Sequence, residues 1–234
     1  RMEAERRALE TQLAAGARVV EIDPALVQPS FAADRFGGGD EAAFRALKAS
    51  IEASGQEVPI LVRPLPGAEG RYQIAYGHRR WRAAHELGRP VRAIVRLLDD
   101  EALVVAQGLE NAARLDLTYI EKASFAAALE GRGFERPAIM KALLVDKTEL
   151  SKMLAVAAGV PGPIARAIGP APKIGRRRWL DLAKVLEGKP AMARAEGRVQ
   201  DPDFFAAETD TRFQLVFDAA RASFVETKRS DLAT

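Results

Sequence analysis

The feature that most limits what this chain can fold into is a change of pattern at Asp99. Before it, short runs rich in β-branched residues alternate with amphipathic stretches; after it, every periodic segment repeats its apolar residues at helical spacing. A chain that begins mixed and ends helical is neither one sheet nor one bundle, so two unlike parts are expected. Its 234 residues suit two modest domains. The boundaries we place are 18–112 for a mixed domain, 113–190 for an all-α domain and 191–234 for a C-terminal helical segment.

Within the mixed part, Met2 to Leu13 reads as a helix, RVVEIDP as a strand stopped by Pro24, and the glycines of RFGGGD as a loop. Phe44, Leu47 and Ile51 mark a helix from Glu41 to Ser54, capped by Asp40 and ended by Gly55. PILVRP and RYQIAYG, separated by PGAEG, form a strand pair; GHRRWRAAHELG is a helix and VRAIVRLL another strand. Four helices follow, in DDEALVVAQGLENAARL, TYIEKASFAAALEGR, RPAIMKALLV and KTELSKMLAVAAG. The Pro/Gly-rich VPGPIARAIGPAPKIG reads as a flexible linker to RRRWLDLAKVLEGK and a last helix around Thr211 to Val225.

Several function classes drop out. With no cysteine there is no disulfide, thiol nucleophile, zinc knuckle or iron–sulfur cluster. His78 and His85 are the only histidines and no paired carboxylate converges with them, so a zinc site is rejected. No apolar run approaches the ~18–20 residues of a membrane span, and no apolar core follows the charged start RMEAERRALE, so a soluble cytoplasmic protein without membrane contact is expected. The chain starts at Arg1 and ends in polar ETKRSDLAT, which reads as a fragment of something longer. Its net charge of +3 is unevenly spread: residues 136–189 hold 11 basic against 4 acidic groups, net +7, while the flanking stretches are each net −2 (18 against 20, and 6 against 8). Such a concentration attracts a polyanion or simply coats a solvated surface.

Four segments carry candidate chemistry. In SGQEVPILVRP, Gln56 offers donors and an acceptor to a nucleobase or phosphate; the plainer reading is an ordinary helix C-cap. In YGHRRWRAA, Gly77 leads into a helix whose first turn presents His78, Arg79 and Arg80. Free amides at a helix start favour anions, and two arginines placed where the dipole repels cations call for an anionic ligand such as a triphosphate. In LENAARLD, Glu110 and Arg114 share a helix face, either as a surface ion pair or with Glu110 and Asn111 offering oxygens to Mg²⁺ and Arg114 meeting phosphate. Finally, RPAIMKALL and KTELSKMLAVAAG are two short helices joined by VDK. The second has Leu150, Met153, Leu154 and Ala157 inward and Lys147, Thr148, Glu149, Ser151 and Lys152 outward, as in a recognition helix or in any small bundle. Lys173, Arg176, Arg177 and Arg178, beyond the linker, suit DNA phosphates, and Trp179 reads as core.

The order GQEVP, GHRR, ENAAR, then a helix pair resembles the ParB family, and RYQIAYGHRRWRAA, AQGLENAARLDLTYIEKA, DKTELSKML and IGPAPKIGRRRW resemble its RepB branch, the centromere-binding partition proteins of repABC plasmids, more closely than chromosomal ParB. The resemblance covers about residues 20–190. It implies an α+β N-terminal ParB/sulfiredoxin-like nucleotide-binding domain followed by an all-α helix-turn-helix DNA-binding domain. It further implies a homodimer that binds a palindromic centromere site in double-stranded DNA on a bacterial plasmid, with CTP and Mg²⁺ as cofactors closing it as a clamp, and a ParA-type ATPase (RepA) as partner through a segment outside this sequence. His78 stands where most of the family has a Glu linked to CTP hydrolysis, which leaves binding better supported than turnover. Sulfiredoxin chemistry, which uses a Cys on the same fold, is excluded; a site-specific repressor without nucleotide switching and a phosphotransferase on this fold stay as alternatives.

Overall fold

The computed structural model describes residues 18–30, 41–113 and 117–222, with only the backbone of 109–113. The expected Met2–Leu13 helix, the RFGGGD loop, the Asp40 cap, Arg114 and the far end of the last helix lie outside the described residues, as do the side chains of Glu110 and Asn111.

Five strands form one mixed sheet: β1 (Val19–Ile22), β2 (Val27–Gln28), β3 (Ile60–Pro64), β4 (Tyr72–Tyr76) and β5 (Val91–Val95), in the order β1-β5-β3-β4-β2. β3 and β4 are the expected antiparallel hairpin. β5 lies parallel to β3 with Ile60 opposite Ala93, which requires a crossover; helix α2 (His78–Glu86) supplies it. β2 was not expected: it is two residues long, below the length at which alternation can be read, and pairs parallel with β4 after a 3₁₀ turn at Pro24–Leu26.

The two-residue period of β3 divides its side chains between two cores. Ile60 and Val62 join Ile22, Val27, Ile74, Val91 and Ala93 beneath Ala84 of α2. Leu61, Ala75 and Ile94 face the other way, against Leu103 of helix α3 (Asp100–Ala113). Helix α1 (Glu41–Ser54) packs Phe44 and Ile51 on Ala83 of α2. Buried Arg63 reaches across from β3: its guanidinium donates to Gln73 and to the Leu98 carbonyl and pairs with Asp100, tying the sheet to the first turn of α3.

Beyond α3 the described chain is helical: α4 (Tyr119–Glu130), α5 (Arg136–Leu143), α6 (Lys147–Gly159), α7 (Gly162–Ile168), α8 (Arg176–Val185), α9 (Lys189–Gln200) and α10 (Thr209–Arg221). One buried cluster runs through all of them, from Val104 of α3 to Ala220 of α10. Trp179 is fully buried, as expected, edge-on to Phe213 with ring centres 4.7 Å apart. The Pro/Gly-rich stretch after Val160 is not the flexible linker its composition suggested. Pro163 sits in the first turn of α7, where its missing N–H costs nothing, and Ile164, Ala165, Ile168 and Ala171 are buried in the helical core.

Candidate functional site

Gly77 has φ +99°, and a Cβ there would lie 2.6 Å from Ile60 Cγ2, so both backbone conformation and packing demand glycine where β4 turns into α2. That turn presents His78, Arg79 and Arg80, all half-buried, on the first turn of the helix. Arg80 Nη1 donates to the carbonyls of Val58 and Pro59, each at 3.0 Å, which joins the GHRR segment to the GQEVP segment. His78 Nε2 accepts from the Ser30 amide at 3.2 Å, and Ser30 Oγ donates to Gln107 Oε1 at 3.0 Å. Gln107 is buried on α3, the helix that carries Glu110 and Asn111. Two of the segments singled out in the sequence, GHRR and GQEVP, thus meet at the start of α2, and Ser30 links that start to Gln107 on the helix whose next turn carries Glu110 and Asn111.

Gln56 is buried, and its amide serves the fold. Nε2 donates to Val58 O and Arg92 O, and Oε1 accepts from Arg92 N, all at 2.9 Å. Both donors are spent on backbone, so the hydrogen bonds that the sequence offered to a nucleobase hold the loop before β3 against the start of β5. The Ser30–Gln107 link was missed because 77 positions separate the two residues.

Among the described residues no group of three His, Cys, Asp or Glu side chains stands close enough to hold a metal. Magnesium bound with a nucleotide takes one or two protein oxygens and fills its octahedron with phosphate and water, so such an ion needs no closed protein cage. A cleft of about 420 Å³ lined by Arg96, Leu98, Glu101, Val105 and Lys141, among others, shares no residue with the three segments.

In the helical half, Leu144 takes a left-handed conformation to end α5, and Asp146 caps α6 by accepting from Glu149 N at 2.7 Å. Lys147, Thr148 and Ser151 are exposed and Lys152 is half-buried; Ser151 Oγ donates to Lys147 O. Val156, unremarked in the sequence, is buried with Leu150 and Met153, whereas Leu154 and Ala157 are only partly covered.

The three arginines that begin α8 part company. Arg176 Nη1 donates to Glu149 Oε2 at 2.6 Å across to α6, and that hydrogen bond raises the guanidinium pKa above its ordinary value. Arg178 Nη2 donates to Gln214 at 2.7 Å, and its guanidinium lies over the rings of Phe217 and Phe213 at 4.8 and 5.4 Å. Arg177 is exposed. The expectation that these arginines follow a flexible linker is therefore corrected: the stretch before them is packed, and Arg176 and Arg178 each bond to a second helix. Tyr119, at the start of α4, has a buried hydroxyl without a hydrogen-bond partner among the described residues; burial, with the Glu149 charge, pushes its pKa up to about 12.

The family model of the ParB N-terminal domain matches residues 8–112, and that of the RepB plasmid partitioning protein matches residues 113–230. The chain belongs to the RepB plasmid partitioning protein family. It is 46% identical over 209 residues to a replication protein B of Sinorhizobium fredii (strain NBRC 101917 / NGR234), covering 89% of this chain and 64% of that one. It is 45% identical over 217 residues to another from Rhizobium rhizogenes, covering 93% and 68%. This RepB-family chain thus spans about two thirds of the length of those relatives. Two crystal structures of C-terminally truncated ParB from Caulobacter crescentus are similar in part. The one complexed with CTP-γ-S is 28% identical, with TM-score 0.38, over 73% of this chain and 99% of that chain. The one complexed to the centromeric parS site is 24% identical, with TM-score 0.44, over 84% and 98%. The expected ParB/sulfiredoxin-like α+β domain followed by an all-helical region is the architecture found. Among the described residues no helix is long and apolar enough to cross a membrane.

Proposed function

We propose that this RepB-family chain is the nucleotide-gated, DNA-binding part of a plasmid partition protein. In this reading α5 and α6 form a helix-turn-helix that docks a palindromic, parS-like centromere site. The start of α2 (Gly77, His78, Arg79 and Arg80), with Glu110, Asn111 and Arg114, takes CTP and Mg²⁺, and a homodimer closes around the duplex as a clamp. A cytoplasmic ParA-type ATPase as partner belongs to the same reading.

The observation that supports it is the joining of the GHRR and GQEVP segments at a helix start, through Arg80 to Val58 and Pro59, with His78 and Ser30 linking that start to Gln107 on α3. A triphosphate there would find helix-start amides and guanidinium forks, which can donate to two phosphate oxygens at once. CTP, once bound, would supply the negative charge that draws these elements together, and magnesium would neutralise part of it. The Caulobacter protein of similar sequence holds a CTP analogue in one structure and parS DNA in another. The net +7 of residues 136–189 supports the duplex, with Lys147, Lys152, Lys173 and Arg177 for phosphates and Thr148 and Ser151 for either phosphate or base edges. We propose binding rather than turnover as the activity: His78 Nε2 already accepts a proton donor, so it is not placed to take one from water.

Lysine-directed crosslinking of the full chain with CTP, ATP or GTP, with and without a palindromic duplex, tests the clamp. CTP with duplex should raise the crosslinked dimer, and no effect of CTP would contradict the reading. Arg79→Ala should lose CTP and keep the duplex, whereas Lys152→Ala should weaken the duplex and spare CTP; equal damage to both functions by both variants would count against two separate sites.

A further inference from the structure

An acidic residue in the first turn of a helix that faces DNA needs a reason, because phosphates repel it. The helix itself offers one: an acid at the third position can bond back to the cap residue and favours the positive end of the dipole. Glu121 does this in α4, accepting from both the amide and the hydroxyl of Thr118. Glu149 holds the same position in α6 and does not. Its own amide donates to Asp146, and among the described residues its carboxylate is hydrogen-bonded by Arg176 alone.

That bond fixes the carboxylate from outside its own helix. Arg176 Nη1 holds Oε2 at 2.6 Å from the first turn of α8, and 24% of the Glu149 side chain is left exposed. A carboxylate has two oxygens and about four acceptor positions, so one oriented oxygen still has capacity for a donor. In the major groove the donors are cytosine N4 and adenine N6, and the adenine amine sits beside the N7 acceptor, which repels a carboxylate. Guanine and thymine present acceptors at the same place.

We propose that Glu149 makes the chain prefer cytosine at one position of each half-site, and that Arg176 is the positioning residue that holds it there rather than a phosphate contact. The proposal rests on the DNA reading above and deepens it. The two roles for Arg176 separate in salt: a phosphate contact contributes about −0.9 to the slope of log affinity against log salt, whereas a residue committed to Glu149 contributes nothing.

The test selects a duplex pool with a randomised core of about 20 base pairs, room for two half-sites a helical turn apart, on the full chain and on its variants. Wild type should enrich a palindrome with cytosine favoured roughly tenfold at one position of each half-site. Glu149→Gln should move that preference to adenine, whose N6 and N7 match a carboxamide. Arg176→Ala should flatten the same position and no other, with the salt slope on the selected duplex unchanged, and Arg176→Lys should restore part of the preference. Identical base preferences in wild type, E149Q and R176A, or a slope shallower by about 0.9 in R176A, would overturn the proposal while leaving site-specific binding intact. Failure of the wild type to enrich any sequence would remove the DNA reading itself and this proposal with it. Thermal unfolding of each variant separates loss of fold from loss of readout.

Discussion

At Gly77 two independent constraints coincide, a left-handed backbone and a wall formed by Ile60. Gly77→Ala must strain φ and displace a buried side chain, which should cost about 2–5 kcal/mol in a urea titration and abolish whatever binds at the start of α2. Tyr119 offers a second check at the residue scale. Its folded pKa of about 12 lies above the ordinary tyrosine value of 10.0, so the unfolded chain ionises first as pH rises. Its contribution to stability is full below pH 10 and lost as pH rises toward 12. Ultraviolet titration should show an ionisation near pH 12 in wild type that Tyr119→Phe removes. Residue types in the sequence named the chemistry available but not where it would be spent. Gln56 has the groups a nucleobase would use, yet Val58 and Arg92 use them first. Arg176 and Arg178 are consecutive with Arg177 in a basic run, yet their partners come from positions 27 and 36 residues away. Pairings of that range leave no periodic trace.

At the scale of elements, helix α3 joins the two halves. Leu103 packs beneath the sheet, Val104 enters the helical core, and Gly108 lets α3 approach α5 so closely that a Cβ would lie 2.1 Å from the Ala142 carbonyl oxygen. Gly108→Ala must push the helices apart, and we expect a loss of about 1–3 kcal/mol by chemical denaturation, with the change in amide exchange concentrated in α3 and α5. A mutant as stable as wild type would show that this contact yields easily. Most elements were legible from periodicity because each buries one face: α1 shows Phe44 and Ile51, and β3 alternates Ile60 and Val62 against Leu61. The failures share a cause. β2 is too short for a period, and α7 is a seven-residue helix whose Gly162 and Pro163, with Pro161, Gly169 and Pro170 beside them, read as punctuation, although the Ile164, Ala165 and Ile168 pattern was present within it. Tertiary burial outweighed the local signal.

For the whole molecule, the charge distribution and the fold agree. The excess of basic groups lies in residues 136–189, which span α5 to α8, while the sheet domain holds the converged GHRR and GQEVP segments. With α3 packed against both cores, the chain has the shared structure that the proposed ligand gating would need, since a ligand shifts binding elsewhere only through structure that both sites share. The sequence made both surfaces visible because charge and motif are local properties. It could not show their connection, because Ser30, Gln107 and Gly108 act through contacts with distant positions. The central claim is that nucleotide and duplex are coupled, and reciprocity makes it measurable from either side. Titration calorimetry of CTP with Mg²⁺ into the full chain, alone and saturated with a selected palindromic duplex, should give CTP affinities that differ by about fivefold or more, with ATP and GTP giving no saturable heat; CTP binding of equal affinity in the two titrations, or none in either, would contradict the account.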